Sequence, residues 1–189
     1  MTQQLFVPEP FRLRDGTTGS LRLLRPDDTE RLKAFFYRLS PESIFYRILE
    51  YRTILTDEEA RRLCDVDGIQ RVAIAATYLD NDSEQIIGVA RYGLIDPNKP
   101  DTAEAAVIVE DAFQGRGLGK LLVKRLVEYA LTHGVRRFIA TIHVNNAKIL
   151  QFIQHSGLKY QRTLSGGTWE VVVHLDSPAG PNGVKNGAE

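Results

Sequence analysis

The stretch from Ala103 to His143 constrains this chain more tightly than any other part of it. AEAAVIV (103–109) and RFIATIH (137–143) are short runs rich in β-branched and apolar residues, and both read as buried strands. Between them, QGRGLG (114–119) opens a helix that runs from about Gly117 to His133 and ends near Gly134 as a C-cap. Two strands joined by a helix of that length pair in parallel, because a parallel connection has to cross one face of the sheet. The chain therefore contains a sheet with at least one parallel pair.

The remaining segments supply the rest of that sheet and its cover. FRLRDG and GSLRLLR alternate apolar and polar residues around a glycine turn, as two short strands do. Asp27 reads as a helix N-cap with Glu30 as its box partner, and Leu32, Phe35, Phe36 and Leu39 give the helix an apolar face. Ser40-Pro41-Glu42 starts a second helix to about Leu49, with Pro41 at the first helical position. Thr56-Asp57-Glu58-Glu59 starts a third, to about Cys64. RVAIAATYL and IIGVARYGLI form a hairpin around residues 80–83. Asn146–His155 is a short helix ending before Gly157, and LKYQRTL and TWEVVVHL form a last hairpin around Gly166-Gly167. The expected class is α/β (α+β in some schemes): a mixed central sheet of about six to seven strands with helices on both faces. Residues 1–10 are expected to form a flexible arm, 11–175 a single domain and 176–189, small and rich in Pro and Gly, a disordered tail.

Composition narrows the function classes. Twenty-four basic residues balance 24 acidic ones, which gives no support to a nucleic-acid coat or a membrane-surface protein. A single cysteine, Cys64, excludes a disulfide framework, and the four histidines lack the spacing of a zinc helix, so no metal is expected. The first sixteen residues hold no apolar core of signal-peptide length and no run of 18 apolar residues occurs, so the default is a soluble cytoplasmic protein.

Glycines at 115, 117 and 119 remove side chains where the backbone must approach something closely. The helix they open offers unpaired N–H groups and the positive end of its dipole, a setting for an anionic phosphate, with Arg116 and Lys120 beside it. Two familiar phosphate loops fail here. A dinucleotide fingerprint beginning at Gly115 needs glycine where Lys120 stands. A Walker loop needs glycine at 114 and Ser or Thr at 121, where the chain has Gln114 and Leu121. On glycines alone, a tight strand-to-helix turn remains an equal reading.

QGRGLGKLL after a strand and at a helix start resembles the Gln-x-x-Gly-x-Gly acetyl-CoA signature of the GNAT acetyltransferase superfamily. Asn146 followed by Gly157 is similar to that family's Asn…Gly-Phe element, with Leu158 replacing the phenylalanine. LSPESIFYRIL, LTDEEARRLCDVD, GVARY and AEAAVIV further resemble the acetyltransferase domain of bacterial Pat-type protein lysine acetyltransferases, extending the likeness back to about Leu21. In those proteins the domain is often joined to an acyl-CoA-synthetase-like or cyclic-nucleotide-binding partner; neither is expected within these 189 residues.

The resemblance implies acetyl-CoA as cosubstrate, held by Val107, Ile108 and Val109 on the strand, by Gln114, Gly115, Arg116, Gly117, Leu118, Gly119 and Lys120 at the turn, and by Asn146. It implies a general base at Glu104, ten residues before Gln114. Strand alternation puts Glu104 on the face of Ala106 and Ile108, an unusual neighbourhood for a carboxylate; the alternative is a frayed strand start that meets water. The backbone N–H of Val107 corresponds to the donor for the acyl oxygen, and that of Val109 to a partner of the pantetheine arm. Where many GNAT enzymes place a tyrosine as general acid, four residues before the glycine, this chain has Ile153. Tyr46-Arg47, Arg91-Tyr92 and His143 are weaker candidates for the acceptor side, and structural roles suit them as well. Trp169 reads as core or a dimer contact and Cys64 as a small buried residue. The expected activity is transfer of an acetyl group to an amine, a protein lysine, in a ternary complex, by a monomer or homodimer. A small-molecule amine acetyltransferase and a non-catalytic CoA-sensing module are the alternatives.

Overall fold

A computed structural model of the chain describes residues 6–178 and 184–186. Its described residues form one mixed sheet with the strand order β1-β2-β3-β4-β5-β6-β8-β7-β9. The strands are β1 (Glu9–Arg12), β2 (Thr18–Leu23), β3 (Arg71–Asp80), β4 (Ser83–Leu94), β5 (Thr102–Val109), β6 (Arg137–His143), β7 (Leu158–Ser165), β8 (Thr168–Pro178) and β9 (Val184–Asn186). Five helices accompany them: α1 (Thr29–Arg38), α2 (Pro41–Ile48), α3 (Asp57–Cys64), α4 (Leu118–Thr132) and α5 (Ala147–Gln154). The mixed sheet of the expected GNAT fold is thus present. Its nine strands exceed the six to seven expected, with short edge strands, four residues in β1 and three in β9, at its two ends; β1 overlaps the segment FRLRDG read as a strand, and β9 had no counterpart in the sequence reading.

Two of those edges fall in segments expected to lack order. Glu9 and Pro10, read as part of an arm, pair with Leu21 and Ser20. β8 runs to Pro178 and β9 pairs in parallel with β7, inside the segment read as tail. Short, polar, Pro-containing stretches carry little local signal for a strand, and here partner strands supply the hydrogen bonds. The rest of the arm and tail (1–5, 179–183 and 187–189) lies outside the described residues.

Helices cover both faces. α4 lays Leu118, Leu122, Leu126, Tyr129 and Ala130 on one face, a stripe at helical spacing that meets Val72, Ile74, Ala90 and Tyr92 in the larger core. Gly88 lets α4 approach: a Cβ there would lie 2.9 Å from Leu122 Cδ1. On the other face, Leu32, Phe35, Ile44 and Cys64 from α1–α3, with Leu39 just after α1, pack on Ala73, Ala75, Ile86 and Val89.

Ser40 caps α2 by accepting the Ser43 N–H, and Thr56 and Glu59 form a capping box at the expected start of α3. The start of α1 differs from the sequence reading. Asp28, rather than Asp27, takes the N-terminal place after a short 3-10 turn (Pro26–Asp28), and its carboxylate accepts the Arg25 N–H at 2.9 Å. Asp28 is fully buried and receives two hydrogen bonds from the buried Arg22, at 2.6 and 2.8 Å. Arg22 also reaches Glu84 on β4. This ion-pair network, absent from any local pattern, clamps the start of α1 to β2 and β4.

Candidate active site

The site begins where β5 and β6 separate. They pair over three positions only, Thr102 with Arg137, Ala103 with Phe138 and Glu104 with Ile139. Beyond Glu104 the β4 side of β5 stays paired as far as Val109, while its β6 side is open. The Glu110 N–H donates to Ile87 O on β4, so alternation turns the N–H groups of Val107 and Val109 the other way, into the gap. Glu104 is exposed and stands at the fork itself, not at a frayed end. It shares a face with Ala106 and Ile108, and across the ladder lie Gly93, Arg91 and Val89.

At the far end of this open edge, roughly 17 Å along the strand from Glu104, the chain enters the glycine turn. Gly115 and Gly117 have φ of 73° and 97°, and a Cβ on either would meet nothing within 4 Å. The N–H groups of residues 115–120 find no acceptor among the described residues. A helix N-terminus, a left-handed turn and open space above it together fit a phosphate-bearing ligand. Lys120 is exposed beside it. Arg116 is ion-paired with Asp15 and lies 5.2 Å from the Phe113 ring centroid, so its charge is anchored rather than mobile. Gly117→Ala is expected to cost about 1–2 kcal/mol for the left-handed conformation and to raise KM for acetyl-CoA; a chemical unfolding curve and initial rates check both.

Gln114 takes up a place that spacing alone did not suggest. Its amide donates to Val109 O and Ser43 Oγ, each at 3.1 Å, and its carbonyl accepts from Lys148 Nζ at 3.1 Å. Asp111 accepts from the Ser40 N–H at 2.9 Å and from the Ser40 and Ser43 hydroxyls, each at 2.8 Å. The turn is thereby tied to the start of α2 and to α5. Ser43, Asp111 and Lys148 had no sequence signal, since each acts on a residue more than thirty positions away. Asn146 caps α5 through the Ile149 N–H at 3.3 Å and is half-buried, which leaves the amide nitrogen available to a ligand.

Opposite the fork, α2 closes over the end of β6. Phe45 meets the His143 ring edge-to-face and Tyr46 lies tilted to it, with ring centroids at 5.3 and 6.0 Å. The Asn145 N–H donates to His143 Nδ1 at 3.2 Å, so the neutral ring carries its proton on Nε2. Of the Arg91-Tyr92 pair only Arg91 faces this side. Tyr92 is buried under α4 with its hydroxyl on Ile69 O, because successive strand residues point to opposite faces. Ile153 packs with Ile142, Tyr160 and Val171 and offers no proton. Trp169 flanks that cluster under Arg162. Cys64 is fully buried, and burial pushes its thiol up, consistent with a packing residue. Among the described residues no group of three His, Cys, Asp or Glu side chains is placed to hold a metal, and no helix is long and apolar enough to cross a membrane.

Residues 34–158, which carry both the split in the sheet and the glycine-opened helix, match the acetyltransferase (GNAT) family. The chain belongs to that family. It is 30% identical over 125 residues to the acetyltransferase PA5475 of Pseudomonas aeruginosa, covering 66% of each chain. It is 28% identical over 172 residues to the acetyltransferase Pat of Mycolicibacterium smegmatis, covering 91% of this chain and 50% of that one. The crystal structure of the GNAT domain of S. lividans PAT superposes with a TM-score of 0.78 at 30% identity, covering 87% of this chain and 95% of the other. The likeness to Pat-type enzymes therefore holds in sequence and in structure. The chain spans half to two thirds of the length of these curated relatives.

Proposed function

We propose that this chain transfers an acetyl group from acetyl-CoA to an amine, a protein lysine side chain, in the cytoplasm and by direct attack within a ternary complex. The observation that carries this is the position of Glu104. It stands where β5 and β6 part, at one end of an open backbone edge whose other end runs into the unpaired N–H groups of the glycine turn.

The residues divide the work by position. The N–H groups at 115–120 hold the pyrophosphate, and the backbone of Val107, Ile108 and Val109 lines the pantetheine arm as an extra strand would. The Val107 N–H faces the negative charge that develops on the thioester oxygen. An amine of pKa ~10.4 is protonated at neutral pH; Glu104, directly or through a water, takes that proton so that the nitrogen attacks the thioester carbon and the carbon–sulfur bond breaks. Lysine as acceptor is supported by the likeness to Pat.

Ligand binding separates this reading from a rival nucleotide site. Acetyl-CoA at ~100 times its Kd should stabilise the fold by about 2.7 kcal/mol, a rise in Tm of roughly 5–10 °C for a domain of this size. ATP and NAD should give none. No shift with acetyl-CoA or CoA would overturn the reading, and a shift without turnover on any amine would favour a CoA-sensing module.

A further inference from the structure

We propose that the cavity between α1–α3 and the sheet binds a carboxylate carried by the acceptor, close to the amine that is acetylated, with Arg47 and Arg91 gripping it. The inference rests on the acetyltransferase reading above and adds the chemical class of the acceptor.

The cavity holds about 240 Å³. Its walls are apolar, among them Leu32, Phe36, Ile48 and Ile108, yet its charged groups are four arginines, Arg47, Arg52, Arg62 and Arg91, and one glutamate, Glu59. Glu59 is already engaged. It accepts from the Thr56 N–H and hydroxyl and from Arg52 at 2.5 Å, and these bonds hold its carboxyl down at about 2. Arg47 and Arg91 have no such counterpart. Among the described residues neither has a carboxylate within 4 Å. Arg91 makes one hydrogen bond, to Leu63 O at 3.2 Å, and Arg47 makes none.

Two guanidinium groups in one half-buried site, short of hydrogen-bond acceptors, favour any anion that can reach both. Burial first, and then the neighbouring charge of Arg47, pushes Arg91 down to about 10; burial lowers Arg47 as well, opposed only by Glu104. The ladder places this site against the base. Arg91 pairs with Ala106, one rung on from Gly93 and Glu104 on the same face, and Val89 pairs with Ile108 beyond it. Those two rungs lie roughly 7 Å apart. An acceptor whose amine meets Glu104 thus reaches Arg91 with a nearby carboxylate, while its apolar part enters the cavity. An Asp or Glu beside a protein lysine supplies that carboxylate, and so does a small amine of the amino-acid type.

Acceptors matched except for the charge test this, with acetyl-CoA as donor. One pair is a lysine peptide with Glu or Gln beside the lysine; the other is an apolar amino acid and its amide. Wild type should favour the carboxylate member of one pair by about tenfold or more in kcat/KM, through KM; whichever pair shows it identifies the source. Arg91→Gln and Arg47→Gln should bring that ratio close to one, and Arg91→Lys should restore part of it. The ratio within one variant is insensitive to a partial loss of folded enzyme. No preference in either pair, or a preference that survives both Gln variants, overturns the proposal while acetyl transfer itself stands. Indifference to both pairs combined with faster transfer from succinyl-CoA also overturns it, by placing the anion on the acyl side. Failure to acetylate any acceptor overturns this proposal together with the acetyltransferase reading.

Discussion

Glu104→Gln is expected to lower kcat/KM by a hundredfold to ten-thousandfold, the range that a positioned general base contributes. The change keeps the shape of the side chain and its place at the fork, and removes only the capacity to take a proton. Acetyl-CoA binding should persist, because the N–H groups of the glycine turn lie at the other end of β5. The residual rate should then follow the small fraction of free amine, climbing about tenfold per pH unit below the amine pKa. Initial rates across pH 6–10 for both proteins check this. A Gln variant within threefold of wild type at neutral pH would remove Glu104 from the mechanism, and the deprotonation would have to be sought elsewhere around the fork.

Asp28→Ala should produce the largest loss of stability, about 3–5 kcal/mol. Asp28 is fully buried, and its removal strands Arg22 beneath α1 and leaves the Arg25 N–H without its acceptor. Glu84 remains at 2.9 Å from Arg22 and draws the expected loss toward the lower end. Urea unfolding of both proteins measures it; a loss under 1 kcal/mol would mean that Arg22 repartners fully. The same pair sets an acid limit. Burial, the largest single influence on Asp28, raises its pKa, but hydrogen bonds from Arg22 and Arg25, together with the charges of Arg22 and Arg31, carry it below its ordinary value. A carboxyl whose folded pKa is depressed adds stability that is fully present above the unfolded value and is lost as pH falls through the folded one. The contribution of Asp28 should therefore hold above about pH 4 and fade below it.

Much of this was legible in the chain because local chemistry specified it. The run AEAAVIV, the glycines at 115 and 117 and the helix from about Gly117 to its stop at Gly134 each obey a short-range rule, and the parallel crossover follows from them. The helix starts at Ser40-Pro41 and at Thr56 were readable for the same reason. What escaped were contacts that depend on the assembled sheet. The burial of Asp28 rests on Arg22 and, through it, on Glu84 across the sheet. The bracing of Gln114 by Ser43 and Lys148 joins three separate elements. Tyr92 was grouped with Arg91 although neighbouring strand residues face opposite layers. Arg47 stood out only as the neighbour of an aromatic; its shortage of partners becomes visible once α2 lies over β5.

Initial-rate kinetics with acetyl-CoA and a lysine peptide varied together, the product identified by mass spectrometry, address direct transfer most plainly. The expected result is a family of intersecting reciprocal lines, with the acetyl group on the lysine side-chain nitrogen and one CoA released per product. Parallel lines with an acetylated enzyme trapped in the absence of peptide would contradict it.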